Sequence, residues 1–551
     1  MRADRVLPFL RWRRPSGALL KGELLAGLTV GLMVIPQGVA YAALAGMPLV
    51  TGIYASLLPA LVAVLFSSSV RLSVGPTALS CLLISASLTG LAEPGSAEWV
   101  NLAIWLALLS GVLQIVLGMA RFGWLLNLVT APVLMAFTQA AAVLIIGSQL
   151  GDLVGAHDFR RVLTSGAPWD AVAALFGIGS LLLLVVLRRW KAAFPSVLFL
   201  VVASAGLSLA IGFEARGGLV VGQLPAGMPT LQWPYWPGLA VLQQLLVPVV
   251  VITAISFLET AASAKVDSAQ QGTRWDQDQD LIGQGMGKLT AGFCGAFPTS
   301  ASFSRSALNL YAGARTGWAT VFSVVIVGCA LLWFLPVLHH VPQAVLAAIV
   351  VVAVVGLIRP REFLSLWRIS PIEACMAAVT FAVTLIASPA LHWGVGVGVL
   401  LALSHFLYWR MHPRIIEVGL HADGRLRDRK TWGLSPIDPH TYMVRMDAAL
   451  DFGSAAALEQ AIVDHLAANP EIKRVVLLAH ALNRIDATGV ATFGRLRGQL
   501  AQDMRELIVV GLKLPVERRL DNAGYLARGD FFKTYVTEAE MIASLNESAI
   551  S

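Results

Sequence analysis

The sequence predicts an α-helical polytopic membrane protein with 14 transmembrane segments, followed by a C-terminal cytoplasmic α/β domain. Three observations carry that prediction. Hydrophobic residues make up 57% of the 551 and charged residues only 13%, whereas a soluble domain carries charge on about a quarter of its positions. Apolar blocks long enough to span a bilayer, about 20 residues each, recur from Leu24 to Trp409. Beyond Trp409-Arg410 the composition turns polar, and short apolar runs alternate with helix-like stretches.

The N-terminus is basic (Arg2, Arg5, Arg11, Arg13, Arg14, Lys21) and runs directly into the first apolar segment. Ala43-Leu44-Ala45 mimics a signal cleavage site, but further spans follow at once and Pro36-Gln37 interrupts the apolar run, so this is expected to be a retained helix with its N-terminus inside. Spans are expected near 22–45, 50–67, 76–91, 100–120, 125–149, 170–188, 194–213, 240–266, 281–296, 301–313, 316–336, 342–358, 369–389 and 392–409. Arg71, Arg121, Arg188, Arg189, Lys191, Lys265, Arg274, Arg315, Arg359, Arg361 and Arg368 fall at or near the ends of even-numbered spans. Loops on the other side hold only Arg160, Arg161 and Arg216, which agrees with the positive-inside rule and leaves both termini cytoplasmic. The expected division is a cytoplasmic N-terminus (1–21), a transmembrane domain (22–409), a linker (410–438) and a soluble domain (439–551).

In the tail, TYMVRMD, KRVVLLA and ELIVVG read as strands, and the stretches near 454–468, 488–503 and 515–523 read as helices. Alternating strands and helices imply a small α/β domain. Ile485-Asp486-Ala487-Thr488-Gly489 falls where a strand passes to a helix. Thr488 is placed there for phosphorylation or for contact with a phosphate-bearing ligand, or simply as an N-cap.

Two short segments occupy matching places in the two halves of the membrane domain. In LSVGPTALS (Leu72 to Ser80), Gly75-Pro76 should end an extended stretch and start a helix, because proline fixes φ and fits the first turn. In FPTSASFSRSALN (Phe297 to Asn309), Pro298 and the small residues through Ser302 do the same before Phe303-Ser304-Arg305. Gly/Pro-interrupted spans at matching positions are the sign of an inverted-repeat transporter with a mid-membrane site. Two helix N-termini meeting there would stabilise an anion through N–H groups and hydroxyls. Arg305 and Glu259, in SFLETAASAK, are ionisable residues inside apolar segments, which points to function. One reading has Arg305 adding positive potential beside the anion while Glu259 takes a proton or neighbours a coupling cation. The other is a structural Glu259 to Arg305 pair.

Gln37 and Tyr41 are four apart and share one helix face, where they either line a cavity or pack between helices. Lys288 reads as an interfacial residue near the cytoplasmic entry of its span. LIGQGMGK lacks the strand and soluble context of a nucleotide loop. The four cysteines, Cys81, Cys294, Cys329 and Cys375, have no metal-like or redox spacing and read as packing residues. No catalytic triad, metal cluster or cofactor motif is present, so neither an enzyme nor a cofactor is expected. The net charge of +7 suits cytoplasmic loops on an anionic leaflet better than nucleic acid.

With those residues located, the chain resembles the SulP anion permease family, relatives of the eukaryotic sulfate and anion exchangers. The resemblance runs through AGLTVGLMVIPQGVAYAALAGMPLVTGIYASLLPAL, RLSVGPTALS, FPTSASFSRSALN and a tail similar to a STAS domain. It implies a 7+7 inverted repeat divided into core and gate domains, an anion site between the third and tenth half-helices, elevator-like alternating access, and a homodimer in the bacterial inner membrane. Carried over by position, it puts Gln37, Tyr41, Ser73, Gly75, Thr77, Ala78, Ala301, Ser302, Phe303, Ser304 and Arg305 at the substrate cavity and Glu259 at the coupling position, where Asp accompanies sodium and Glu favours a proton. Ala301 stands where Gly is common, which would narrow the cavity, and Lys288 stands where Asn is common. Thr488 matches the residue phosphorylated in anti-sigma antagonists.

The expected function is secondary active transport of a small anion, sulfate first, coupled to a proton. Bicarbonate or a C4-dicarboxylate, with sodium coupling, is the alternative. From another class comes a non-transporting anchor whose STAS domain senses a ligand or a cytoplasmic partner.

Overall fold

The computed structural model describes residues 7–12, 16–124, 129–156, 169–190, 196–225, 227–333, 335–388 and 390–550. Arg2, Arg5, Arg13, Arg14, Arg160, Arg161 and Lys191 lie outside them. The chain divides into two compact units, Met1–Ala402 and Leu403–Ser551.

The first unit is helical, and each expected span coincides with a helix. These are α1 (Gly17–Leu44), α2 (Leu58–Phe66), α3 (Ala78–Leu88), α4 (Ala97–Met119), α5 (Ala131–Leu153), α6 (Ala171–Trp190) and α7 (Ser196–Ile211), then α8 (Leu239–Gln271), α9 (Gln277–Phe293), α10 (Phe303–Tyr311), α11 (Trp318–Trp333), α12 (Gln343–Val355), α13 (Pro371–Ile386) and α14 (His392–Met411). Among the described residues, six helical stretches are long and apolar enough to cross a membrane, and six shorter ones are comparably apolar.

Three local departures have physical causes. The second span is broken into a single turn, Thr51–Tyr54, and α2, with Pro59 at the start of the second piece. Pro360–Ile369, expected to be a connecting loop, is a further helix that begins on Pro360 and buries no side chain, leaving Leu364, Trp367 and Ile369 exposed. Cys375 is exposed on its helix rather than packed, whereas Cys81 and Cys294 are buried.

Small residues let the helices approach, as expected where lipid supplies no hydrophobic drive between them. A Cβ on Gly285 of α9 would lie 2.6 Å from the Gly111 carbonyl of α4, and one on Gly287 would lie 2.9 Å from the Ala63 Cβ of α2. Two buried carboxylates lock this frame. Glu23 of α1 accepts from the N–H groups of Arg315, Thr316 and Ala319 at 2.9, 2.9 and 3.0 Å, satisfying the start of α11. Asp280 of α9 accepts from the Ser68 N–H at 2.7 Å, the Ser69 N–H at 2.9 Å and the Trp275 indole at 2.7 Å.

Helices α3 and α10, of 11 and 9 residues, reach only about half-way through a hydrocarbon core of about 30 Å. Each is preceded by a two-residue strand, β1 (Val74–Gly75) and β2 (Ser300–Ala301). The two strands pair antiparallel, Val74 against Ala301 and Gly75 against Ser300.

The second unit contains a six-stranded sheet. Its elements are β3 (Ile415–Leu420), β4 (Leu426–Asp428), β5 (Thr441–Met446), α15 (Ala455–Ala468), β6 (Arg474–Leu478), α16 (Ala487–Gln502), β7 (Glu506–Val510), α17 (Leu514–Asn522), β8 (Phe532–Tyr535) and α18 (Glu538–Ile550). The strand order is β4-β3-β5-β6-β7-β8, with β5 to β8 parallel and β3 antiparallel to both its neighbours. Residues on one face, such as Val444, Leu477 and Val509, pack with α15, α16 and α17, while Met443, Val476 and Ile508 pack with α18. The stretch 410–438, expected as a linker, thus contributes two strands, β3 and β4, to the sheet. Its IIEVGL run alternates side chains across the pleat, burying Ile416 and Val418.

Candidate anion site at two facing helix starts

The pairing of β1 with β2 brings the first turns of α3 and α10 together. Thr77 caps α3 by accepting from the Ser80 N–H at 3.3 Å, and Ser302 caps α10 by accepting from the Arg305 N–H at 3.5 Å. The Ser302 N–H donates to the Ser73 carbonyl at 2.9 Å, and the Ser73 N–H donates to the Ser306 hydroxyl at 3.0 Å. The first turns of two helices thus meet in one region, where their dipoles favour negative charge.

Arg305 lies at the centre of this arrangement and is 1% exposed. Its Nη1 donates to the Pro76 carbonyl at 2.8 Å and its Nε donates to the Ser73 hydroxyl at 3.4 Å. Its Nη2 is buried with no hydrogen-bond partner. An unpaired buried guanidinium nitrogen is costly, and the cost is relieved when a carboxylate, phosphate-like or sulfate-like oxyanion binds there. Gly75 makes room for it, since a Cβ there would come within 3.2 Å of Nη2. Tyr41 is close enough to the guanidinium to interact electrostatically. Gln37, one turn earlier on α1, is buried with its Oε1 unpartnered.

Glu259 does not pair with Arg305. The Thr77 hydroxyl donates to Glu259 Oε2 at 3.1 Å, so the carboxylate is tied to the cap of α3 instead. Thr77 is also 3.0 Å from the Ser80 hydroxyl, which extends the polar chain into the helix.

The remaining expected residues divide by location. Ser73, Gly75, Thr77, Ala78 and Ser302 are buried at the junction. Phe303 and Ser304 are exposed on the first turn of α10. The Ala301 methyl does not narrow a cavity. Strand alternation points it into an apolar cluster with Ala63, Leu72, Val74 and Ala264.

Lys288 was expected at an interface but is 0% exposed, with its Nζ unpartnered. Position along α9 suggested the membrane edge, while the side chain's direction around the helix, invisible in a linear sequence, turns it inward. Thr488 is not the N-cap of α16. Asp486 holds that role, accepting from the Gly489 N–H at 2.8 Å and from the Phe452 N–H at 3.0 Å, while Thr488 is exposed on the first turn. Burial tends to raise the Asp486 pKa, but the Gly489, Phe452 and Thr488 N–H groups more than offset it and hold the carboxyl below its ordinary value. Among the described residues, the cluster with metal-ligand geometry is Glu214, His339 and His340, at the start of a short 3-10 helix (Glu214–Arg216) and the end of a short α-helix (Leu335–His339).

A bundle with two half-length helices meeting through a short strand pair, joined in sequence to an α/β domain, defines a class of helical membrane protein. The sulfate permease family model matches residues 20–380 and the STAS domain model matches residues 435–541. The chain belongs to the sulfate permease family and carries a C-terminal STAS domain. Sulfate transporter 4.1, chloroplastic, of Arabidopsis thaliana is 32% identical over 480 residues, covering 84% of this chain and 70% of that protein. A probable sulfate transporter of Mycobacterium tuberculosis (strain CDC 1551 / Oshkosh) is 30% identical over 506 residues, covering 89% of each. The solved structure of the murine Solute Carrier 26 family member A9 anion transporter in the inward-facing state matches with a TM-score of 0.88 at 20% identity, over 99% of this chain and 94% of that one. That likeness bears on the fold.

Proposed function

We propose that the protein is a secondary active transporter of a small oxyanion, sulfate first, coupled to a proton and working by elevator-like alternating access. The observation that carries this reading is the Arg305 Nη2, buried and unpartnered between two facing helix starts. A membrane anchor for a sensory domain has no use for that costly group. The names of the curated relatives favour sulfate.

Coupling is assigned to Glu259 through Thr77. When Glu259 is ionised, the Thr77 hydroxyl donates to it. When Glu259 carries a proton, it donates to Thr77, whose hydrogen turns to the Ser80 hydroxyl. Proton loading thereby reorganises the cap of α3, one of the two helix starts facing the anion.

The remaining assignments are that Gln37, Tyr41, Ser73, Gly75, Ala78 and Ser302 to Ser304 surround the anion, that the protein is a homodimer in the inner membrane with cytoplasmic termini, and that Thr488 is open to phosphorylation or a partner. The test is uptake of labelled sulfate, bicarbonate and succinate into proteoliposomes under imposed proton or sodium gradients. Sulfate uptake driven by an inward proton gradient is expected. No uptake of any anion under any gradient would transfer the reading to the anchor.

A further inference from the structure

The cluster of Glu214, His339 and His340 lies outside the anion site and joins two connections whose residues Glu214 and His339 are 125 positions apart. Glu214 opens the 3-10 turn Glu214–Arg216 in the connection from α7 to α8, and His339 closes the short helix Leu335–His339 between α11 and α12. The backbone holds these connections in register. Val221 and Gly222 donate from their N–H groups to the Val341 and His339 carbonyls at 2.9 and 3.1 Å, and the Gln343 N–H donates to the Leu219 carbonyl at 3.0 Å. Phe213, buried against Phe176 with ring centres 5.2 Å apart, anchors the chain just before Glu214. Framework contacts on both sides thus deliver the three side chains to one place.

His339 Nε2 lies 3.1 Å from Glu214 Oε2, His340 Nδ1 lies 3.8 Å from the same oxygen, and the three ligand atoms all fall within 4.8 Å of one another. Ligand atoms on a tetrahedral zinc ion, each about 2.0–2.1 Å from the metal, are about 3.3 Å apart. Side-chain rotation closes the difference, since Glu214 is 50% exposed and the imidazoles 22% and 33%. An ion pair accounts for less of the arrangement. One carboxylate satisfies one imidazolium, and a second, its ring centre 4.6 Å from the first, would add like charge. A dication draws on all three groups at once.

We propose that Glu214, His339 and His340 form a binding site for a transition-metal dication of the zinc type, which staples the α7–α8 connection to the α11–α12 connection. Two imidazoles and one carboxylate are a ligand set for zinc that leaves a fourth position to water from the open side. The same set disfavours magnesium and calcium, which take oxygen ligands. Both connections follow odd-numbered spans, so in the proposed threading the metal reaches the site from the non-cytoplasmic side. The site is independent of the anion reading and stands without it.

The experiment uses untagged full-length protein in detergent, stripped of metal, and titrates Zn²⁺ against a chromophoric chelator. Wild type is compared with Glu214→Gln and with the double variant His339→Gln, His340→Gln. Wild type is expected to bind one more zinc per chain than the double variant, and Glu214→Gln to bind it at least about tenfold more weakly. A large excess of Mg²⁺ should not displace it. X-ray absorption at the zinc edge of wild type, loaded with one equivalent, should show nitrogen and oxygen ligands at about 2.0–2.1 Å with the scattering of two imidazoles. Equal zinc binding by wild type and a folded double variant overturns the proposal. So does a zinc-edge spectrum with sulfur ligands or without imidazole, and that arm stands even if the double variant does not fold.

Discussion

The Thr77 hydroxyl donates to the Glu259 carboxylate at 3.1 Å, although the two residues are 182 positions apart in the chain. The same hydroxyl caps α3, so the charge on Glu259 and the integrity of a helix start facing the candidate anion site are read by one oxygen. Thr77→Val removes both interactions and should cost about 1 kcal/mol through the lost cap, together with loss of proton-driven uptake. Thr77→Ser keeps the oxygen and should restore both. Uptake against imposed pH gradients separates the outcomes, and proton coupling undiminished in Thr77→Val would remove Thr77 from the coupling route.

Glu259→Gln keeps a group able to accept from Thr77 but cannot take up a proton. The expected variant folds, melts within a few degrees of wild type, and moves sulfate only by exchange, without accumulation driven by a proton gradient. Proton-driven accumulation equal to wild type would show that Glu259 is structural.

Gly75 faces Arg305 with no room to spare: an added Cβ would lie 3.2 Å from Nη2 and 3.4 Å from the Ser56 hydroxyl. Gly75→Ala should displace the guanidinium by a few tenths of an ångström and lower sulfate uptake by about tenfold or more. A Gly75→Ala protein with wild-type uptake would place the anion elsewhere.

In the STAS domain, Asp486 is the cap of α16 and its carboxyl is held below the ordinary value. A carboxyl whose folded pKa is depressed stabilises the fold above its unfolded value, near 3.8, and loses that stabilisation as pH falls through the depressed value. Hydrogen exchange on the full-length protein should therefore show the Gly489 and Phe452 amides well protected at neutral pH and less so in acid. Asp486→Ala should expose both amides at neutral pH, at a cost of roughly 0.5–2 kcal/mol. Unchanged exchange would mean that another group satisfies them.

Much of this architecture was legible because the chain punctuates it. Pro76-Thr77 and Pro298 to Ser302 announced two helix starts, and their matching places announced that they belong together. The strand pair that joins them was not legible, because two residues per strand carry no period. Direction around a helix was also hidden. Lys288 read as an interfacial residue near the entry of its span yet turns inward, and Glu259 looked like a partner for Arg305 until the geometry gave it to Thr77. In the tail, IIEVGL is short and flanked by charge, which made a sheet strand resemble a linker. Asp486 took the cap expected of Thr488 because the cap is fixed by where the backbone leaves its extended conformation, at φ −109°, and residue type alone allows either. Single buried acids such as Glu23 and Asp280, whose partners are loop N–H groups far away in sequence, leave no local pattern to find.

The central claim is that Arg305 Nη2 awaits an oxyanion. Equilibrium binding of labelled sulfate to purified full-length protein tests it most directly, with wild type compared to Arg305→Ala and Arg305→Lys at fixed ionic strength. Removing a buried charged partner costs about 2–5 kcal/mol of binding, so saturable binding by wild type should fall at least about thirtyfold in Arg305→Ala, with partial recovery in Arg305→Lys, which keeps the charge but not the fork. Equal affinity in wild type and a folded Arg305→Ala would contradict the account.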